Sequence, residues 1–323
     1  MKKILFASTA LVAFAGAASA EIAISGAAEI GIVGGNRYAT AANTDGVTQF
    51  WTDVEVTFTM TGEADNGLTF GATVQLDEAN VPGTDDNGAT WFVAYGNARL
   101  DMGDTDGALD WAMQEVALAA GTIDDTETSH WGYNGNSGFD GREDGQVARF
   151  TYTFGSFAAA LSAEIDDDPN APTNADDDTI WGVGFKYKGD LGGTKLGVGI
   201  GYQEQNDYGN IIGASVDATL ASGIAFALNY SETDYEAAGL VNQKHMGVGI
   251  GYTMNALAIG LNYGKYDDFR GVNGNTSEGY ALAVNYDLGG GLKVQAGYAD
   301  GERKLGGVKT DYDNFSLGLA MSF

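Results

Sequence analysis

The chain has 323 residues, 44 of them acidic and 16 basic, for a formal net charge of −28. This charge argues against a nucleic-acid partner, because phosphates would be repelled, and the absence of cysteine excludes disulfides and cysteine-bound metals. Glycine contributes 49 residues and proline 3, beside 15 Phe and 16 Tyr, a composition that favours many short strands and turns over a collagen-like or disordered chain.

Residues 1–20 are predicted to be a cleaved signal peptide. Lys2 and Lys3 form a basic start, residues 4–15 are apolar, and residues 18–20 (Ala-Ser-Ala) have the small-residue pattern of a cleavage site. The apolar stretch is too short to cross a bilayer as a helix. Residues 21–323 are then expected to form a single domain.

From residue 22 onward, apolar residues alternate with small or polar ones. In a strand, successive side chains point to opposite faces, so the pattern places an apolar face against a small, weakly polar one. Segments of this kind give about sixteen candidate strands: 22–32, 54–60, 68–76, 90–95, 98–103, 146–154, 157–165, 180–188, 195–203, 211–220, 224–232, 245–253, 257–265, 280–288, 292–300 and 315–323.

The connections alternate between short turns, such as 154–156 and 253–256, and longer acidic loops, such as 166–178 and 267–278. This arrangement is typical of a membrane barrel. Closure is required in lipid, because an open strand edge would leave peptide groups unsatisfied. The sequence therefore predicts an all-β fold, a transmembrane antiparallel β-barrel of about 16 strands whose first and last strands pair.

Tyrosines recur near the predicted strand ends, where an amphipathic ring suits the level of the lipid headgroups. We expect lipid-facing belts that contain Tyr187, Tyr202, Tyr230, Tyr252, Tyr263, Tyr286, Tyr298 and Tyr312.

The segment 104–145 has no strand period and is far longer than a usual connection. Its aromatic residues and the helix-like stretch 108–119 indicate an ordered loop. If the loop folds into the barrel, its carboxylates line the narrowest part of the channel. These acids are Asp104, Asp106, Asp110, Glu115, Asp124, Asp125 and Glu127.

Residues 21–323 resemble the general porins of alphaproteobacterial outer membranes, of the type found in photosynthetic species. The most specific similarities are 21–32 (EIAISGAAEIGI), 58–72 (FTMTGEADNGLTFGA), 286–291 (YDLGGG) and the terminal Phe323. The resemblance implies homotrimers of sixteen-stranded barrels, each narrowed by an inward-folded third loop, here about 104–145. It also implies contact with outer-membrane lipid and lipopolysaccharide, and passive diffusion of small hydrophilic solutes and ions. The terminal Phe looks like the signal that outer-membrane assembly machinery reads.

Alternation predicts which charged side chains of the strands point into the lumen. The predicted inward bases are Arg99, Arg149, Lys186, Lys195 and Lys293. The predicted inward acids are Glu29, Asp53, Glu55, Asp77, Asp101, Glu164 and Asp217.

Members of the family set bases on the wall against acids on the loop. This sequence departs from that pattern, because Glu29, Asp53 and Glu55 stand where bases are expected. Carboxylates in a lumen lower the entry energy of cations and raise that of anions, so we predict cation preference. The expected constriction consists of Asp104, Asp106, Asp110, Glu115, Arg99, Arg149 and Lys186.

Other chemistry has weak signals. His130 and His245 are interpreted as a loop and a lumen residue rather than a zinc or catalytic site, and no catalytic residue is predicted. The two acidic runs favour a solvated loop, with calcium binding as the alternative. The alternative function is a substrate-specific channel or a membrane-barrel enzyme, which would need an aromatic track or a catalytic cluster. The acidic runs are Asp166, Asp167, Asp168, Asp176, Asp177 and Asp178.

Overall fold

The computed structural model describes residues 20–38, 46–77, 89–143, 146–165 and 179–323. In these residues sixteen strands close into one barrel, in which β1 pairs with β16 and every other pair joins strands consecutive in the chain. The strands are β1 (Glu21–Gly34), β2 (Gln49–Glu63), β3 (Thr69–Asp77), β4 (Ala89–Tyr95), β5 (Ala98–Asp104), β6 (Gln146–Phe154), β7 (Phe157–Glu164), β8 (Ile180–Leu191), β9 (Thr194–Gln205), β10 (Gly209–Thr219), β11 (Ile224–Tyr235), β12 (Gln243–Met254), β13 (Leu257–Asp267), β14 (Thr276–Gly289), β15 (Leu292–Leu305) and β16 (Val308–Ser322).

The prediction of about sixteen antiparallel strands is confirmed. The remaining regular elements of the described residues are a helix α1 (Ala108–Ala112) and two 3-10 turns (Asn36–Tyr38 and Phe269–Gly271). No helix among them is long and apolar enough to cross a membrane.

The pairing of β1 with β16 closes the barrel. It runs from Ala27 opposite Ser322 to Gly34 opposite Phe315, and the amide of Phe323 donates to the carbonyl oxygen of Gly26 at 2.9 Å. The terminal residue therefore belongs to the closing ladder, and no strand edge is left unpaired at the seam.

The apolar residues of the alternating pattern lie on the outer face, where side chains such as Leu161, Trp181 and Leu228 are exposed. The belt prediction is wrong for Tyr312, which is only 4% exposed. In β16 the outward positions are the odd ones that include Phe315, so Tyr312 points inward, where it stacks on Trp131 with ring centroids 4.7 Å apart.

The barrel wall is uneven in height. Strands β3 to β7 have 7 to 9 residues, whereas β8 to β16 have 11 to 15. Seven residues tilted by about 40° rise about 18 Å, less than the roughly 25 Å apolar band of an outer-membrane barrel. The wall at β5, whose two ends both lie among the described residues, is therefore too short to face lipid over the full height of that band.

The longer connections lie at one end of the barrel, as the sequence indicated, together with two short turns, 206–208 and 306–307. The other end has short turns. Turns such as 155–156, 192–193 and 255–256 lie at one end, and connections such as 236–242 and 268–275 lie at the other. The longest connection follows β5 and is named L3 here, residues 105–145. The first twenty positions contribute only Ala20 to the described residues, so the predicted signal peptide lies almost wholly outside them.

Candidate functional site

L3 lies inside the barrel, which confirms the predicted inward fold. Its outgoing limb, 105–123, starts at β7, where the Ala108 amide donates to Ser162 Oγ at 2.8 Å. It continues past β10, where the Gln114 amide donates to Ser215 Oγ at 2.7 Å. At its far end, Ile123 reaches the seam between β1 and β16, beside Gly318.

The return limb, 126–143, runs back along the same stretch of wall. His130 Nε2 lies 2.6 Å from Asn262 Oδ1 on β13, and the Phe139 amide donates to Gln203 Oε1 on β9 at 2.6 Å. Both limbs thus cover the inner faces of β7 to β16 and reach β6, where the inward side chains of Val147, Arg149 and Thr151 are buried. The inner faces of β2 to β4 are the more open part of the wall.

Glycines on the inner wall make this close docking possible. A methyl group on Gly184, Gly199 or Gly249 would overlap a backbone carbonyl oxygen of the outgoing limb, at Ala108, Ala112 or Val116 respectively. The segments 197–202 and 247–252, both GVGIGY, supply two stretches of this surface. Sequence reasoning treated them as strand interiors with small lumen residues, which is correct but misses that they seat L3. The available signal was glycine at alternate, inward positions of consecutive strands.

Buried carboxylates also hold the return limb. Glu127 is fully buried and accepts from Asn314 Nδ2 at 3.1 Å and Ser316 Oγ at 2.8 Å on β16. Burial, followed by the charge of nearby Asp124, raises the pKa of Glu127 to about 7. At the other end of the limb, buried Glu164 accepts from the amides of Gly141 and Glu143.

The two histidines meet on the same limb. The Gly132 amide donates to His130 Nδ1 at 3.0 Å, so Nε2 carries the proton that binds Asn262. His245 on β12 bonds the Gly132 carbonyl oxygen through Nε2 at 2.9 Å. Burial lowers the pKa of His130 to about 4, so this side chain is neutral at pH 7. Both histidines therefore anchor L3 to the wall.

The predicted bases gather where L3 begins. Arg99 lies 2.6 Å from Asp101, and Arg149 lies 3.6 Å from Asp101 and 3.7 Å from Asp106. Arg149 also donates to the backbone carbonyl oxygen of Asp106 at 2.5 Å. The structure thus brings Arg99, Asp101, Asp106 and Arg149 together. Asp104 is instead the last residue of β5 and pairs with Gln146.

Lys186 contacts L3 at Trp111, five residues after Asp106. Its Nζ donates to the Trp111 carbonyl oxygen at 2.9 Å and lies 3.6 Å from the centroid of the Trp111 ring. Among the described residues Lys186 forms no ion pair with a carboxylate. The ammonium group of Lys186 therefore binds the loop and does not form an ion pair that compensates an acid.

Asp110 and Glu115 lie on the outgoing limb. Burial, followed by the charges of Asp106 and Glu115, raises the pKa of Asp110 to about 8. Glu115 accepts from Tyr133 Oη and from Asn136 Nδ2, and so joins the outgoing limb to the return limb. Burial raises the pKa of Glu115 as well.

A second group of acids occupies the opposite side of the opening. Glu29 on β1 is the cross-strand neighbour of Asp53 on β2, and Glu55 pairs in turn with Asp77 on β3. The tip of L3 approaches this wall at Ile123, whose side chain lies beside Gly31 on β1. Burial, followed by the charges of Asp124 and Asp53, raises the pKa of Asp125. Among the described residues Glu29, Asp53 and Glu55 make no ion pair.

The described residues contain no group of three or more histidine and carboxylate side chains arranged to hold a metal ion. The predicted calcium ligands Asp166, Asp167, Asp168, Asp176, Asp177 and Asp178 lie outside the described residues. Calcium binding there stays a prediction.

Comparisons with known proteins agree with this architecture. The family model described as Gram-negative porin matches residues 7–306. The porin of Rhodobacter capsulatus is 27% identical over 269 residues, which cover 76% of this chain and 86% of that protein. A porin structure refined at 1.8 Å covers 94% of this chain and 100% of its own, with a TM-score of 0.70 and 21% identity. A triple mutant of the Rhodopseudomonas blastica porin gives a TM-score of 0.67 at 16% identity, with the same coverage.

The barrel, the loop inside it and the family match agree on one class of protein. A closed barrel with an apolar outside and an open polar lumen provides a path for solutes across the outer membrane. The chain belongs to the Gram-negative porin family, and it is a channel protein of the outer membrane rather than an enzyme.

Proposed function

We propose that this porin prefers cations, and that its selective constriction lies between the outgoing limb of L3 and the wall of β1 to β6. One observation carries the proposal. Arg99 and Arg149 are paired with carboxylates and Lys186 is bonded to L3, while the acids of β1 and β2 have no basic partner among the described residues.

The two sides of the opening therefore differ in how far their charges are compensated. At the β5–β8 side, Arg99, Arg149, Asp101 and Asp106 form a nearly neutral group. At the β1–β2 side, Asp53 and Glu55 add negative charge that L3 does not offset, since its tip brings two further acids, Asp124 and Asp125. A passing ion meets a net negative potential, which raises the local cation concentration.

The test is the reversal potential of purified protein in a planar bilayer with a tenfold KCl gradient. A potential that favours K⁺ is expected. A potential that favours Cl⁻ would keep the channel and overturn this account of the lumen. Folded protein without conductance would point to a plugged barrel and favour the alternative function, a substrate-specific channel.

We also propose that three copies assemble through the low side of the barrel. Porins of this family are typically trimeric channels for small solutes. The short strands β4 and β5 carry exposed Trp91, Val93, Tyr95 and Leu100 on their outer face. Because this wall is too short to be covered by lipid alone, packing against neighbouring copies would bury its apolar side chains.

We propose that residues 1–20 are removed on export. The basic start, the short apolar stretch and the Ala-Ser-Ala site support it, as does the start of β1 at Glu21. N-terminal sequencing of the membrane protein should then begin at Glu21. Retention of Lys2 would contradict cleavage.

We propose that lipopolysaccharide contacts the outer surface at the long-loop end, with divalent cations between the two. Asp311 and Asp313 occupy outward positions of β16 there, so two anionic surfaces would otherwise repel each other. Lipopolysaccharide that copurifies with the protein and is lost with EDTA would support this contact. Retention in EDTA would argue against divalent bridging.

A further inference from the structure

A cavity of about 370 Å³ lies under the outgoing limb of L3, on the side of the short turns. Short turns mark the periplasmic end of an outer-membrane barrel. The cavity therefore opens just past the constriction on the route of a solute entering the cell. Its charged lining consists of Lys188, Asp190, Lys195 and Asp217.

The cavity exists because one wall position has no side chain. Gly197 on β9 pairs with Lys188 on β8 and with Asp217 on β10, so the three residues form a row across adjacent strands. A methyl group on Gly197 would overlap Asp217 Oδ1 and would lie 3.2 Å from Gln114 Oε1 of L3. A carboxylate oxygen and an amide oxygen thus converge on the same small space.

These two oxygens need a hydrogen-bond donor. Asp217 Oδ1 is buried and has no hydrogen-bond partner among the described residues. The amide of Gln114 is oriented by its own Nε2, which donates to the Ala112 carbonyl oxygen at 3.2 Å. An ammonium group has three N–H donors and can satisfy two acceptors at once. Asp217 Oδ1 itself packs against Gly197 and is shielded from solvent. A solute ammonium in the cavity would therefore bind the remainder of the half-buried Asp217 carboxylate together with Gln114 Oε1.

The lysines of the same cavity can bind the opposite charge, a carboxylate. Neither Lys188 nor Lys195 forms an ion pair among the described residues. Asp190, the cross-strand neighbour of Lys195, accepts the Gly193 amide at 2.8 Å and so stabilises its own turn. The two ammonium groups are therefore available to a carboxylate that enters the cavity.

We propose that this cavity binds small zwitterionic solutes of the α-amino acid class. The solute ammonium would donate to Asp217 and Gln114, and the solute carboxylate would accept from Lys188 and Lys195. With two lysines and two aspartates the lining is formally neutral, so a solute with one net charge gains less than a solute that carries both charges. The site extends the proposed diffusion function, on which it rests, to a preferred class of solute.

The test measures block of the K⁺ current by L-alanine, propionate and ethylammonium added separately at neutral pH. In the wild type, alanine should block saturably, with a half-blocking concentration at least tenfold below those of the other two. Asp217→Asn and the double variant Lys188→Met/Lys195→Met should each raise that concentration at least tenfold. Lys293→Met, which removes an inward lysine at the same end of the barrel on β15, should change it less than twofold.

Conductance in KCl alone separates this proposal from the channel itself. A wild type that conducts and is blocked equally by all three solutes overturns the zwitterion site and leaves the channel intact. Block by alanine that survives Asp217→Asn also overturns the site. Equilibrium dialysis of radiolabelled alanine against detergent-solubilised wild type and Asp217→Asn measures the same binding without conduction, and equal binding to the two proteins would refute it.

Discussion

Lys186 donates to the Trp111 carbonyl oxygen at 2.9 Å, and its ammonium group lies 3.6 Å from the centre of the Trp111 ring. A base predicted to help set ion selectivity is therefore bound to the loop that narrows the pore. Arg149 behaves similarly, since it donates to the Asp106 carbonyl oxygen. The wall bases near L3 position the loop, and the proposed cation preference therefore depends on the acids of β1 and β2.

The first prediction concerns those acids. The variant Asp53→Asn/Glu55→Gln should lower the K⁺/Cl⁻ permeability ratio by about four- to fifteenfold, because each lumen charge at about 5–10 Å in water contributes about 0.4–0.8 kcal/mol. The measurement is the reversal potential in a KCl gradient. The control Glu204→Gln/Glu232→Gln removes acids from outward positions of β9 and β11 and should leave the ratio unchanged. An equal loss in both variants would contradict the assignment.

The second prediction concerns pH. Because burial and neighbouring acids raise the pKa of Asp110 to about 8, this side chain is mostly neutral at pH 6 and charged at pH 9. Cation preference should therefore increase between these values, by about two- to fourfold on the Coulomb scale for one charge. Reversal potentials measured across this range should follow that increase. In Asp110→Asn the increase should be smaller than in the wild type; an unchanged pH profile would show that Asp110 does not face the ion path.

The third prediction concerns the inward glycines of the wall on which L3 docks. Gly249→Ala places a methyl group against the Val116 carbonyl oxygen, and such overpacking costs about 1–3 kcal/mol. The variant should unfold more easily in denaturant and show more open-channel current noise, since L3 no longer docks closely. Gly26→Ala on β1 is the control, because its methyl group would meet the nearest atom at an ordinary 3.4 Å. Open-channel current noise in Gly249→Ala that is no greater than in the wild type would contradict the close docking.

The fourth prediction concerns Glu127. Its pKa is raised from an ordinary value near 4.5 to about 7, so the folded protein favours the protonated form. The free energy of unfolding should therefore fall as pH rises from 4.5 to 7, and this part of the pH dependence should be absent in Glu127→Gln. Glu127→Ala should lose about 1–3 kcal/mol at any of these pH values, because the buried Ser316 hydroxyl is left without its acceptor.

Denaturant titrations at several pH values measure both effects of Glu127. Glu302→Gln is the control, since this acid lies near the end of β15 and pairs with Lys309 at the surface. A Glu302→Gln profile that matches Glu127→Gln would show that the pH dependence has another source.

The fifth prediction concerns assembly. Val93→Asn/Leu100→Asn changes a cross-strand pair on the outer face of β4 and β5 and should shift the protein from trimer to monomer. Leu228→Asn/Val248→Asn changes the equivalent pair between β11 and β12 and should leave the trimer fraction unchanged. Light scattering in detergent and unheated gel electrophoresis report the assembly state. Loss of trimers in the second variant alone would move the interface away from the low wall.

Sequence reasoning found all the strands but not their full lengths. Segments 292–300 and 315–323 were predicted, whereas β15 extends to Leu305 and β16 begins at Val308. The outward residues of these extensions include Glu302, Lys304 and Asp311, so the apolar half of the alternation disappears. The pattern marks only the height that contacts lipid, and a strand that continues beyond the headgroups leaves no such signal.

The site was predicted in part for a related reason. The length, acids and aromatics of residues 104–145 indicated an ordered loop that could fold inward, and the structure confirms that fold. Which wall the loop covers could not be predicted, because inward glycines have the same appearance whether they face water or a docked backbone. The residues Gln203, Asn262 and Asn314, which bond to L3 and hold it against the wall, were not predicted. A polar residue that faces the lumen is common in a barrel and gives no separate signal.

The docking of L3 on wall glycines has a consequence for redesign of the channel. Wall glycines contact the backbone of the loop at Ala108, Ala112 and Val116, so docking depends little on which side chains face the channel. Side chains on the free edge, such as Asp106, can then be exchanged while the loop keeps its path. The backbone of L3 that docks on the wall and the side chains of L3 that face the channel are therefore separable. New permeation properties can be introduced at those side chains without changes to the barrel.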